Sequence, residues 1–151
     1  MQWKLISVLC LVLLLPSSPM YAQVQLVSER EMRASENATA PLAPRSVAVV
    51  PDGPKIDIVS PGLMGAVKSP ARVQLRFTTV SPAIAKPESF KALYGAFRVD
   101  ITSRLLKVAK LSPQGLIVEE AFLPSGSHRI FLEIEDSVGR TGGQMLSVMI
   151  E

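Results

Sequence analysis

Between Leu123 and Gly143 the chain reads LPSGSHRIFLEIEDSVGRTGG. Pro124-Ser125-Gly126 is turn chemistry, His128 to Glu135 alternates, and Asp136-Ser137-Val138-Gly139 turns the chain again. A period of two belongs to a half-buried strand, because successive side chains of a strand point to opposite faces. Ile130, Leu132 and Ile134 therefore share one face. Arg129, Glu133 and Glu135 share the other, with Phe131 among them. The apolar row must enter the core, where each such side chain contributes about 1.5–3 kcal/mol. A one-residue slip would bury the glutamates instead, so the register is strongly specified. His128 and Asp136 carry the parity of the core row and stand at its two ends. An extended strand puts them roughly 26 Å apart, too far to act as a catalytic pair.

The same period recurs from Lys55 onward. Ala71, Val73, Leu75, Phe77 and Thr79 alternate with Arg72, Gln74, Arg76 and Thr78, the cleanest half-buried strand in the chain. Further strands are predicted at Ile56 to Ile58, Ser89 to Tyr94, Phe97 to Ile101, Leu116 to Leu123 and Gln144 to Ile150. Residues 104–111 read in two ways. Leu105, Leu106 and Ala109 fit a helical face capped by Thr102 or Ser103. Alternatively, a strand there feeds the turn Ser112-Pro113-Gln114-Gly115. Six or seven short strands with turns every 8 to 12 residues, and no helices of 10–15 residues between them, predict an all-β antiparallel sandwich.

Residues 1–22 have a different character. Lys4 precedes an apolar run from Leu5 to Leu15, then Pro16-Ser17-Ser18-Pro19 breaks it and Met20-Tyr21-Ala22 offers a small residue before Gln23. That is the layout of a secretory signal peptide, with a retained anchor as the alternative. The run is shorter than the roughly 20 residues of a spanning helix. Cys10 lies inside the run and follows Leu9, which is not the small residue that lipidation favours. Cleavage after Ala22 leaves no cysteine, hence no disulfide and no thiolate chemistry. Residues 23–53 are predicted to be a flexible segment. A short helix around Glu29-Arg30-Glu31-Met32-Arg33 is expected to fray, and Ala40-Pro41-Leu42-Ala43-Pro44 is linker chemistry. Residues 54–151 form the sandwich domain. Asn37-Ala38-Thr39 matches a glycosylation acceptor, a pattern too short to weigh.

The formal net charge is +3. Loss of Lys4 leaves 15 basic and 13 acidic side chains, without the clustered basic footprint of a nucleic-acid binder. Outward charges read as cross-strand pairs. If residues 71–79 lie beside 116–123, Arg72 and Arg76 face Glu119 and Glu120. If residues 97–101 lie beside the His128 strand, Arg98 meets Glu133 or Glu135. Such pairs contribute about 0.2–1 kcal/mol each.

No phosphate loop, Cys/His cluster or nucleophile elbow occurs, so no catalytic residue, metal ligand or cofactor is assigned. His128, the one histidine, reads as a corner residue that bonds to backbone at a strand start. Ser127 points to the opposite face and forms no dyad with it. Asp136 reads as a side-chain cap of its turn, because calcium would want six to eight oxygen ligands. The candidate interaction patch is Phe131, Met145 and Met149, which point outward and come together if their strands are neighbours. The alternative is that the protein's own Val24, Leu26, Val47 or Val49 covers them.

The pattern Pro54-x-Ile56, Ser60-Pro61, Ser69-Pro70-Ala71, Val73-x-Leu75-x-Phe77, Leu123-Pro124-x-Gly126 and Asp136-x-x-Gly139 resembles bacterial Ig-like domains of the fibronectin-III-like and adhesin-module kind. The resemblance covers residues 54–151 and implies an Ig-like sandwich. A Val-, Leu- and Phe-rich strand and the late Asp-x-x-Gly corner are also similar to periplasmic copper-resistance β-sandwich proteins. That family places histidine at or near the mature N-terminus, where this chain has Gln23, so no ligand is carried over. The expectation is a non-enzymatic secreted or periplasmic module of the bacterial envelope. It meets an unidentified envelope protein through the Phe131 face or exposed edge strands. The alternative is a sandwich that binds a carbohydrate or a metal ion at a loop end.

Overall fold

A computed structural model describes residues 24–38, 50–62 and 65–151. The segment expected to be a signal peptide and the Pro-rich stretch lie outside the described residues. Two sheets face each other. One is built from β1 (Lys55–Ser60), β3 (Ala71–Thr78), β7 (Gly115–Ala121) and β6 (Ala109–Ser112), in the order β1-β3-β7-β6. The other contains β2 (Ala66–Val67), β9 (Thr141–Ile150), β8 (Gly126–Asp136), β4 (Ala85–Tyr94) and β5 (Val99–Asp100), in the order β2-β9-β8-β4-β5. The fold is an all-β sandwich. Among the described residues seven strands have four residues or more, and β2 and β5 have two each. No helix among them is long and apolar enough to cross a membrane.

The alternation read from the sequence sets both inner faces. On β3, Ala71, Val73, Leu75 and Phe77 are buried while Arg72, Arg76 and Thr78 are exposed. On β8, Ile130, Leu132 and Ile134 are buried, with His128 and Asp136 buried at the ends of the same row. β9 lies antiparallel to β8 along its whole length. The predicted neighbours β3 and β7 pair, and Arg72 meets Glu119 at 3.3 Å. Arg76 instead sits across from Gly115.

Three local expectations change. The strand expected over Phe97 to Ile101 shrinks to Val99–Asp100, because residues 95–98 form the turn after β4. Gly95 at φ +67 and Arg98 at φ 49 take up that turn, and glycine suits such a backbone. Residues 104–111 turn out to be both helix and strand. Helix α2 (Thr102–Leu106) buries Leu105, and β6 follows to pair with β7. Neither Thr102 nor Ser103 caps α2. Asp100 Oδ1 accepts the Thr102 N–H at 2.8 Å, and the Thr102 hydroxyl accepts the Ala92 N–H at 2.9 Å.

Residues 24–38, where fraying was expected, lie against the sandwich. Gln25 forms a parallel bridge with Phe122, and Leu26 and Val27 are fully buried. Helix α1 (Glu29–Asn37) then starts with a capping box between Ser28 and Glu31. A nine-residue helix is too short to hold alone, so its contacts must hold it. Arg104 supplies the strongest, a two-bond grip on Glu31 at 2.8 Å each and a bond to the Leu26 carbonyl at 3.2 Å. The Ala96 N–H donates to Ser35 Oγ at 3.1 Å. Gly95 is required here as well, since a Cβ would run into the Ser35 side chain.

The Arg104 guanidinium, helped by Ser28, holds the Glu31 carboxyl down at about 2. A carboxylate depressed in the folded state adds stability above its unfolded value near 4.5 and loses it as pH falls toward about 2. The Arg104 side chain is 38% exposed, so solvent screening limits the pair to about 1 kcal/mol. Thermal unfolding between pH 5 and pH 2 is expected to show a shallower loss of stability in Arg104→Met than in the parent. Equal slopes would remove this role.

Candidate interaction face and the buried histidine

β8 presents its odd residues outward, and β4 and β9 flank it. Register then decides which outward side chains meet. Phe131 lies directly opposite Met145 on β9 and Leu93 on β4. The three make an apolar row across the middle of the five-stranded sheet, each partly buried by its neighbours. Arg98, from the β4–β5 turn, lays its guanidinium 4.4 Å from the Phe131 ring centroid and reaches Glu133 at 3.7 Å. The meeting with Glu133 was expected from adjacent strands. In fact β4 lies between β5 and β8, and the turn carries Arg98 across. A cation over an aromatic face contributes about 0.5–1 kcal/mol where solvent reaches it.

Met149 does not join this row. It lies opposite Ser127 and Ala66, and the Arg129–Ser147 pair separates it from Met145. Four residues of strand are roughly 13 Å. Met149 is 49% exposed, and Phe97 at the β4–β5 turn is 66% exposed. Leu93 was missed in the sequence. Its signal was present, since Ala92 and Tyr94 are the buried residues of that strand and Leu93 has the opposite parity. Leu26 does not cover the row. It enters between the sheets, where it lines an apolar void with Leu105, Leu116 and Leu123. Val47 and Val49 lie outside the described residues.

His128 is fully buried at the start of β8. Its Nε2 is 2.7 Å from the Pro124 carbonyl, which can only accept, so Nε2 carries the proton. Nδ1 is then the acceptor for the Tyr94 hydroxyl at 2.9 Å. Burial pushes the imidazole below its ordinary value, against the Pro124 bond and the Glu36 charge, which favour the cation. Burial, with Glu36 and Glu31, pushes the Tyr94 phenol up to about 12. Both ring nitrogens are therefore committed to the fold. Ser127 is exposed on the opposite face.

Asp136 is buried at the far end of β8. Burial alone would raise its carboxyl. The Arg140 N–H, the Arg140 guanidinium and the Val138 N–H outweigh that and hold it below the usual range. Its oxygens accept from Val138 N at 3.0 Å, Arg140 N at 2.9 Å and Arg140 Nε at 2.8 Å. Among the described residues no group of three or more His, Cys, Asp or Glu side chains could hold a metal ion.

No protein-family model matches the chain, and no curated protein matches it. Among solved structures, the crystal structure of CopC from Methylosinus trichosporium OB3b is similar over 58% of this chain and 85% of its own. The identity is 17% and the TM-score 0.38, a likeness that carries no functional argument.

Proposed function

We propose that the chain is a non-enzymatic binding or accessory module of the bacterial envelope, secreted or periplasmic, with an Ig-like sandwich that acts through protein–protein contact. The observation that carries this reading is the Leu93–Phe131–Met145 row with Arg98 stacked on it. Aromatic residues, methionine and arginine are the side chains enriched where proteins meet, and here they converge on one sheet face. Outward Phe and Met give a lone soluble sheet no folding advantage comparable to the inward row. The pattern from Lys4 to Ala22 supports export. His128 and Asp136 spend their polar atoms on the fold, so neither is assigned a chemical step.

Cross-linking in the native envelope, followed by identification of the products, tests the reading. A recurrent product with one envelope protein is expected. Recovery of no partner would count against it. So would one tightly held metal ion per chain in protein purified without added metals, since that favours the small-ligand alternative.

A further inference from the structure

The segment formed by residues 24–37 is a strap, and its contacts apart from the Arg104 grip flank one buried pair. Ala96, which donates to Ser35, lies two residues beyond Tyr94. Phe122, which bonds to Leu26, and Gly126, which faces Met32 and Glu36, lie on either side of Pro124. Tyr94 and Pro124 are the two hydrogen-bond partners of His128. We propose that the strap is an acid-released lid, seated while His128 is neutral and unseated when the imidazole takes up a proton.

The chemistry of the pair requires such a response. A neutral His128 satisfies both partners, with Nε2–H donating to Pro124 and Nδ1 accepting from Tyr94. An added proton turns Nδ1 into a donor. It then faces a hydroxyl that must give up its own hydrogen bond to accept, and among the described residues that hydroxyl has no second partner. The result is a buried cation with an unsatisfied donor, which is costly unless water reaches it. The charges facing the pair do little to offset this. Glu36 on α1 favours the cation but is exposed, and Glu31 on α1 is already committed to Arg104 of α2. Tyr94 on β4 keeps its proton. β9 presents Val148 opposite His128 and contributes no charge. Lifting α1 alone would hydrate the ring, because α1 packs beside the pair at Gly126 and fully buries no residue of its own, although the Arg104 grip on Glu31 must then open.

The direction follows from linkage. A histidine depressed in the closed state favours closure fully above its free value near 6.5, and closure weakens as pH falls below it. The population of the open state rises at most about tenfold per pH unit, or roughly thirtyfold between pH 7.5 and pH 5.0. Glu31, held at about 2, stays ionised throughout, so the Arg104 grip is not the source of the pH response.

Hydrogen–deuterium exchange on the full chain at pH 7.5 and 5.0, corrected for the intrinsic pH dependence of exchange, tests this. The α1 amides are expected to lose about tenfold or more of their protection at pH 5.0 while β8 and β9 keep theirs. His128→Gln should abolish the pH response. Glu36→Gln changes only an exposed side chain and should fold even if His128→Gln does not. It removes a charge that stabilises the cation beneath the closed strap, so it should move release to higher pH. Unchanged α1 protection at pH 5.0 would overturn the proposal. So would equal loss in β8 and β9, or a release midpoint that Glu36→Gln leaves in place.

Discussion

Replacing Phe131 with alanine is expected to weaken binding to the proposed envelope partner by about 2 kcal/mol, roughly thirtyfold in Kd. Phe131 is the centre of its row, with Leu93 on one side, Met145 on the other and Arg98 above. Truncating it removes the aromatic surface and leaves the guanidinium without its face. The fold should lose far less than binding does. Phe131 lies on the outer side of the sheet, and Glu133 still engages Arg98. Thermal unfolding and the affinity for the captured partner, measured on the same preparation, separate the two effects. A parent-like affinity would remove Phe131 from the interface.

The adjacent substitution has the opposite signature. Leu132→Ala is expected to destabilise the domain by about 2–5 kcal/mol, the cost of a cavity in a packed core. Leu132 is 2% exposed and lines the interior void with Leu116 and Leu146. A domain of this size holds only about 5–15 kcal/mol of net stability, so the loss is a large fraction of the total. Denaturant unfolding measures it, and binding by the remaining folded protein should be nearly unchanged. A cost under about 1 kcal/mol would mean that the void had collapsed around the shorter side chain. The two neighbours thus divide the chain's functions by strand parity alone. One residue faces the core, and the next faces the proposed partner.

The parity was legible in the sequence, and what depended on contacts between distant elements was not. HRIFLEIE and ARVQLRFT state their inner and outer rows without any knowledge of neighbours, because burial in a strand follows a period of two. The pairing of Phe131 with Met145 follows from β8 and β9 being consecutive and antiparallel. The third member, Leu93, needed the order β8-β4, which no local pattern announces. Met149 has the right parity but the wrong position along the strand, since parity fixes a face and says nothing of contiguity. The strap shows both sides of the matter. Ser28-x-x-Glu31 is a capping box visible in the sequence and could have marked the start of α1. The burial of Leu26 and Val27 arises from a bridge to Phe122 and a grip by Arg104, both remote in the chain.

His128 and Asp136 illustrate why conspicuous residues need not make a site. Each is buried, each is saturated with hydrogen bonds, and each closes a corner at one end of β8. At neutral pH their polar atoms hold the chain at a turn. The outward row keeps part of its apolar surface exposed on one sheet face.

Site-specific photo-cross-linking in the native envelope tests that face most directly. A photoreactive residue at Met145, beside Phe131, is compared with one at Arg76, which is exposed on the other sheet. The account predicts a discrete product with a single envelope protein from position 145 and none from position 76. No product from 145, or the same product from both positions, would contradict it.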